Sequence, residues 1–140
     1  MGGCAAFRRC GAPQQPAIHH CHFKPGSGVK SGELIGIHDF AAPQRTLEKL
    51  RAMLKPDGTL FIVEPRAADR LEDNINPVAT MFYGFSLFHC MTQSLAKGGP
   101  GLGTCLGPSR TEELVRQAGF GRFEKLDIKS PVNLFYAAQP

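Results

Sequence analysis

Three polar residues stand at the ends of apolar runs, where side chains of an α/β protein meet their ligands. His38 and Asp39 close the run "ELIGIHD", and Glu64 closes the later run "TLFIVEP". The carboxyl ends of neighbouring parallel strands share one edge of the sheet, which is where open α/β sheets bind ligands. Tips of adjacent strands lie roughly 5–10 Å apart. The pattern therefore favours a ligand site, although Asp39 capping a helix and Glu64 as a solvated strand end are the simpler alternatives.

Other motifs that could bind phosphate or metal are weaker. "GSGVKS" (26–31) has Val29 where a P-loop needs glycine, and it follows no predicted strand. "GPGLG" (99–103) follows helix-like sequence, so we interpret it as a loop over a pocket instead of a nucleotide loop. "HHCH" (19–22), with Cys4 and Cys10 upstream, has irregular spacing for a zinc site. We expect adventitious metal binding there and predict no resident metal.

The elements that would position the polar residues begin after a break in composition near Gly32. Residues 1–32 show no helical or strand period and are predicted to be an irregular leader of unrelated sequence, followed by a domain over 33–140. The first half of this domain is predicted to contain a strand at 33–39, a helix from Pro43, a turn at Asp57-Gly58 and a buried strand at 59–63. The second half is predicted to contain a helix from Asn76-Pro77, a further helix, and strands at 122–128 and 132–138. The further helix is predicted to have a capping box of Ser109 and Glu112 and a C-terminal cap at Gly119.

This order of elements predicts an α/β fold. Helices between the first strands require parallel crossovers, and the short turn at the end of the chain predicts an antiparallel hairpin. About four strands with flanking helices result: a parallel pair and the terminal hairpin. Phe82, Phe85 and His89 share one face of the helix from Pro77, and Gly84 predicts a bend in this helix. Such a face is more often core, but its aromatic surface also suits a lid over a substrate.

Composition limits the class of protein and its partners. The net charge of +4 comes from residues 1–32, where Arg8, Arg9, Lys24 and Lys30 stand without any acid. This charge is too diffuse to predict nucleic-acid binding. Five cysteines at irregular spacing favour a reducing, cytoplasmic setting over a disulfide framework. Apolar runs stay below the roughly 18 residues of a membrane span, so no membrane association is expected.

The stretch "HDFAAPQRTLEKLRAMLKPDGTLFIVEP" resembles the second half of a class I S-adenosylmethionine-dependent methyltransferase. "DRLEDNINPVATMFYGFSLFHCMTQSLAKGGPGLGT" and "AGFGRFEKLDIKSPVNLFYAA" resemble one subgroup, whose members carry an N-terminal winged-helix segment. The resemblance covers residues 33–140. It implies a partial Rossmann-like fold equivalent to the fourth through seventh strands of that family, with the glycine-rich cofactor loop and the ribose-binding acid expected upstream of Glu33. Neither is found there, so we expect a truncated domain.

The resemblance also implies roles for individual residues. His38 and His89 are the candidate general bases, because imidazole titrates near neutral pH. His38 and Asp39 are the candidate contacts of the cofactor, S-adenosylmethionine. Glu64 would face either the methyl acceptor, a small molecule, or the sulfonium of the cofactor, and Tyr83, Phe85 and Asn133 would add contacts to the acceptor.

Two rival interpretations remain beside an enzyme of impaired activity. The first is a non-catalytic pseudoenzyme or interaction module that lends half a sheet to a partner. The second is half of a nicotinamide-dependent dehydrogenase, which the antiparallel terminal pair disfavours. The strand at 33–39 would form an unpaired sheet edge, so we also expect self-association.

Overall fold

The computed structural model describes residues 29–140, which form one four-stranded sheet with helices. The strands are β1 (Val29–Ile35), β2 (Leu54–Pro65), β3 (Arg122–Leu126) and β4 (Asn133–Gln139). Their order in the sheet is β1-β2-β4-β3. β1 runs parallel to β2, whereas β4 is antiparallel to both of its neighbours. The predicted fold class, a parallel pair completed by an antiparallel hairpin, is confirmed.

The helices are α1 (Pro43–Met53), α2 (Pro77–Phe85), α3 (Met91–Ala96) and α4 (Pro108–Gln117). A π-helical segment, Ser86–Cys90, joins α2 to α3, and 3-10 turns form at Ile37–Asp39 and Leu71–Asn74. Proline is the first residue of α1, α2 and α4, where its missing N–H would have no partner in any case. The Asn76 side chain caps α2 by accepting from the Ala79 N–H at 2.9 Å, as its place before Pro77 predicts.

The core lies where α1 and α4 pack against the sheet. Leu47 of α1 and Val115 of α4 are fully buried with Ile62 and Tyr136 of the two central strands. Alternate residues of β4 are buried, the pattern of a strand with one face on the core. Within the described part of the chain, no helix is both long and apolar enough to cross a membrane.

The structure corrects the predicted start and end of the first strand. β1 begins at Val29, inside the segment predicted to be irregular, and ends at Ile35. The chain then turns at Gly36, whose φ of 76° is left-handed, into the 3-10 turn that carries His38 and Asp39. The predictions for residues 1–28 lie outside the described residues.

The predicted turn at Asp57-Gly58 is wrong. β2 continues from Leu54 through both residues. The pairing of Val29 with Leu54 is followed by that of Ser31 with Thr59, so β2 has extra residues between these two pairs, as in a β-bulge. A bulge tolerates Pro56, which has no N–H to donate to a strand ladder.

The capping box predicted for α4 is also wrong. Gly107 is the N-cap residue, and the hydroxyl of Ser109 donates instead to Asp69 Oδ2 at 2.7 Å. The N–H of Ser109 donates to Asp69 Oδ1 at 2.7 Å, so a distant carboxylate satisfies this helix end. The predicted C-terminal cap at Gly119 is confirmed by its φ of 89° and by the bond from the Phe120 N–H back to the Val115 carbonyl.

Candidate functional site

The carboxyl ends of β1 and β2 meet at one edge of the sheet. Ile35 pairs with Val63, and the Gly36 N–H donates to the Val63 carbonyl at 3.2 Å. The 3-10 turn after Gly36 then places His38 beside Glu64, which follows Val63. The proximity expected from the strand ends is therefore present in the structure.

Both oxygens of the Glu64 carboxylate are bound by the turn that carries His38. The Ile37 N–H donates to Oε1 through a very short hydrogen bond. Oε2 accepts from His38 Nδ1 at 2.6 Å. Glu64 is only 2% exposed and His38 only 5% exposed. Glu64 is thus turned toward His38 and away from solvent, which fits a residue that orients an imidazole better than one that faces a substrate.

Two carboxylates determine the protonation of His38. Burial by itself lowers the pKa of the imidazole, but the hydrogen bond and charge of Glu64 and the charge of Asp39 raise it, and the result lies above the ordinary value of 6.5. Asp39 Oδ1 lies 3.3 Å from His38 Nε2. This oxygen is buried and has no hydrogen-bond partner among the described residues.

Cys90 completes the site, and sequence reasoning missed it. The π-helical segment directs Cys90 inward, where its thiol accepts from the Thr104 hydroxyl at 3.0 Å. Burial, opposed by the Thr104 hydrogen bond and reinforced by Asp39, raises the pKa of the thiol to about 11. The ligand atoms of His38, Asp39 and Cys90 all lie within 4.8 Å of one another.

A signal for Cys90 was present in the sequence. Ser86, Cys90 and Ser94 recur at a spacing of four residues, and all three are buried. The aromatic residues around them are exposed, with Phe88 82% and Phe85 55% accessible. Small residues therefore form the inner face of this helix. The sequence prediction considered only the aromatic face and so did not include Cys90.

The "GPGLG" loop explains why this inner face must be small. The N–H groups of Gly101 and Thr104 donate to the Ser94 and Ser86 hydroxyls, each at 3.1 Å. A Cβ on Gly99 would collide with the Ser94 side chain and the Ala41 backbone, and a Cβ on Gly103 would collide with the Ser86 side chain. The glycines thus let the loop backbone approach the helix, so this stretch is a packing motif in the described structure.

The remaining predicted site residues take no part in the contacts of the His38 cluster. His89 is exposed, although it directly precedes Cys90. The Tyr83 hydroxyl accepts from Asn74 Nδ2 at 3.3 Å, in a separate polar group with Ala68. Asn133 pairs with Pro65 in the ladder between β2 and β4, one position beyond Glu64. Sequence position alone placed Asn133 beside the site edge, and the register agrees.

Two surface grooves lie elsewhere. The larger has a volume of about 600 Å³ and follows the end of β2, with Asp69, Asn74 and Asn76 in its wall. The smaller is formed by Arg66 and the Lys129–Pro131 turn. His38, Asp39 and Cys90 do not line either groove, and the candidate site is described by the convergence of their polar groups.

Comparison with known proteins identifies the fold. Neither a model of a known protein family nor a curated protein sequence matches the chain. Solved structures do match: human N-acetylserotonin methyltransferase in complex with SAM (S-adenosylmethionine) superimposes with a TM-score of 0.56 at 21% identity, covering 84% of this chain and 31% of that one. An O-methyltransferase family protein from Burkholderia thailandensis gives a TM-score of 0.55 at 20% identity over 81% of this chain and 31% of that one. PigF with SAH gives 0.60 at 15% identity over 84% and 32%.

These structures confirm the expected class of fold. The described chain has the Rossmann-like architecture of class I methyltransferases, and it spans about a third of the length of these three structures. At such low identities the likeness establishes the fold and leaves the activity to be argued from the site.

Proposed function

We propose that this chain is the acceptor-side part of an S-adenosylmethionine-dependent methyltransferase and that His38 acts as its general base. The observation that supports this most is the buried pair of His38 and Glu64, joined at 2.6 Å where two parallel strands end. The methyltransferase fold adds support, because several of its solved examples contain SAM or SAH. The substrate would be a small molecule with a hydroxyl or amine, since a base needs a proton to remove.

The pair is suited to accepting a proton. Because Glu64 takes the hydrogen bond from Nδ1, the other ring nitrogen, Nε2, is the one free to act as base. When Nε2 accepts the proton of the acceptor group, the imidazolium stands between the carboxylates of Glu64 and Asp39. Both charges favour this form, and positioned bases of this kind accelerate reactions by about 10²–10⁴-fold. In this proposal Glu64 is a positioning residue.

The described residues also fit part of the cofactor. S-adenosylmethionine, when bound, supplies the electrophilic methyl group. The buried Asp39 Oδ1, which lacks a hydrogen-bond partner among the described residues, fits an amino or hydroxyl donor of that molecule. His38 neighbours it. For the acceptor, the exposed side chains of Tyr83 and Phe85 provide an apolar wall. Asn133, the first residue of β4, provides an amide where β4 pairs with the end of β2.

Isothermal titration of the full chain with S-adenosylmethionine tests cofactor binding, and radiolabelled S-adenosylmethionine with a panel of phenols and amines tests transfer. Micromolar binding with measurable transfer supports the proposal, and the absence of both contradicts it. His38→Gln should lower kcat by about 10²-fold or more, because the ring nitrogen that accepts the proton is removed. The matched control His89→Gln, at an exposed histidine, should keep full activity. Loss of transfer in the His89 variant but not in the His38 variant would reverse the assignment.

The second candidate is a non-catalytic interaction module, which a separate observation favours. Exposed apolar side chains cover much of α2 and the π-helical segment, including Phe85, Leu87 and Phe88. A surface of this kind is typical of a protein contact. No cofactor binding combined with stable association of the chain would support this candidate. For either function we propose a cytoplasmic location, which the free thiols of Cys90 and Cys105 support.

A further inference from the structure

We propose that His38 Nε2, Asp39 Oδ1 and Cys90 Sγ form a binding site for a divalent transition metal ion, with Zn²⁺ as the best fit. In the described part of the chain this is the group of three whose ligand atoms converge, all within 4.8 Å. Imidazole, carboxylate and thiolate together are the donor set that zinc prefers. The sequence gives no hint of this site, because the three residues are not spaced as a zinc motif.

The geometry is close to that of a zinc site before any ion enters. Zinc bonds of 2.0–2.3 Å in a tetrahedron separate the donor atoms by about 3.3–3.7 Å. Nε2 and Asp39 Oδ1 are already 3.3 Å apart. No separation in the group exceeds 4.8 Å, so the donor atoms need to approach by at most about 1 Å, which small side-chain rotations can supply.

The surroundings of the three donors resemble the outer shell of a metal site. Glu64 accepts from His38 Nδ1, an arrangement that fixes the imidazole and raises the basicity of its other nitrogen. Thr104 donates to the Cys90 sulfur at 3.0 Å, which orients the thiol. The same outer partners would serve a bound ion without rearrangement.

An independent observation points to a missing ligand at this position. Asp39 Oδ1 is buried and forms no well-aligned hydrogen bond among the described residues, its near contact being His38 Nε2 at 3.3 Å, and such an oxygen is costly to bury. A cation between Oδ1, Nε2 and Sγ supplies the partner that this oxygen lacks. The Asp39 side chain is 37% exposed, so an ion can enter from solvent. Three protein ligands leave a fourth position for water.

Binding has a defined proton balance. Zn²⁺ displaces the proton of the Cys90 thiol and, where His38 is an imidazolium, the proton on Nε2. Affinity for zinc must therefore increase with pH. A consequence that rests on the proposed function follows: an ion bound to Nε2 prevents His38 from accepting a proton, so micromolar Zn²⁺ should inhibit methyl transfer.

The test uses Co²⁺ as a spectroscopic probe in the full chain. The leader contains other possible ligands, so its cysteines are changed to Ser and its histidines to Gln: Cys4, Cys10, His19, His20, Cys21 and His22. In this leader-substituted chain we expect one equivalent of Co²⁺, a sulfur-to-cobalt charge-transfer band, and displacement by one equivalent of Zn²⁺.

Further variants locate the site. Adding Cys90→Ser or Cys90→Ala should abolish the charge-transfer band, whereas the matched control Cys105→Ser should keep it. Glu64→Gln should weaken Zn²⁺ binding by about 10–100-fold through the loss of the outer hydrogen bond. Circular dichroism of each variant confirms that it is folded.

A leader-substituted chain without a thiolate–cobalt band would overturn the proposal, as would a band that survives both Cys90 variants in folded protein. The proposed function fails separately, if the metal-free chain neither binds S-adenosylmethionine nor transfers a methyl group. The band tests the metal site in that case too, because it needs no catalysis.

Discussion

His38 and Glu64 are buried together, and the burial of such a pair requires a physical explanation. An ion pair in a protein interior gains little over apolar residues of the same volume, because both charges must leave water. Breaking such a pair by removing one partner is nevertheless costly, because the remaining charge has no compensation. The pair adds little to the stability of the fold but fixes the orientation of the His38 ring. We therefore attribute its burial to the positioning of Nε2 and not to stability.

The first prediction concerns Glu64→Gln, which keeps the shape of the side chain and removes its charge. We expect the free energy of unfolding to fall by about 2–4 kcal/mol, because the bonds from Ile37 and His38 lose their charged acceptor. Urea unfolding measures this change. The control Glu48→Gln, on the exposed face of α1, should stay within about 0.5 kcal/mol of the parent. An equal effect of both substitutions would contradict the assigned role of Glu64.

The second prediction is a dependence of stability on pH. His38 holds its proton more tightly in the folded chain than in the unfolded one, since its pKa is raised above 6.5. Its contribution is complete below pH 6.5 and is lost as the pH rises through the folded pKa. In buffer with a metal chelator, unfolding free energy should fall by up to about 1.4 kcal/mol per pH unit above this point.

Urea midpoints measured between about pH 6 and pH 8.5 reveal this slope, a range that covers the titration of a histidine of raised pKa. His38→Gln should flatten the curve, and His89→Gln should leave it unchanged. A curve that rises with pH in the parent chain would show that burial, not Glu64, dominates the pKa of His38.

At the scale of elements, the ends of α2 and α4 show when a local pattern is enough. Asn76 next to Pro77 predicts a cap that the structure contains, because the bond to the Ala79 N–H spans only three residues. The sequence pattern of Ser109 and Glu112 predicts a capping box for α4 equally well. Asp69, however, lies close enough in space to take both donors of Ser109. Sequence windows contain no information on such a distant competitor.

A substitution series at the start of α4 forms the third prediction. Asp69→Ala should lower the free energy of unfolding by about 1–2 kcal/mol, as the loss of a helix cap does. Glu112→Ala should cost less than about 0.5 kcal/mol, because Glu112 forms only an exposed pair with Arg116. Thermal or urea unfolding decides between them. A larger loss for the Glu112 variant would restore the capping box.

The difference between local and long-range contacts also explains which candidate site residues can be predicted from sequence. His38, Asp39 and Glu64 follow from one rule, that parallel strands end at a common edge, and no side-chain detail is needed. Cys90 depends on the π-helical segment, where one additional residue in the turn changes which side chains point inward. The spacing of Ser86, Cys90 and Ser94 indicates an inner face of small residues, but which side chains Cys90 meets on that face depends on the fold.

At the scale of the whole molecule, two surfaces lack partners in the described structure. β1 pairs only with β2 among the described strands, which leaves its other edge open. The segment from α2 to α3 exposes apolar side chains that would be buried in an ordinary core: Met81, Phe85, Leu87, Phe88 and Leu95. Composition could predict that these residues are apolar, but their exposure depends on the small residues that occupy the inner face.

Self-association is therefore the fourth prediction, with the open edge of β1 and the exposed aromatic segment both contributing. The double substitution Phe85→Ser with Phe88→Ser should raise the dissociation constant about 10-fold or more, because burial of one phenylalanine contributes about 1.5–3 kcal/mol. The control Leu71→Ser removes an exposed apolar residue outside the segment and should change little. Sedimentation equilibrium of each chain measures the constants, and association that persists in the double variant reports the contribution of the β1 edge. A parent chain that stays monomeric throughout the micromolar range would contradict both contributions.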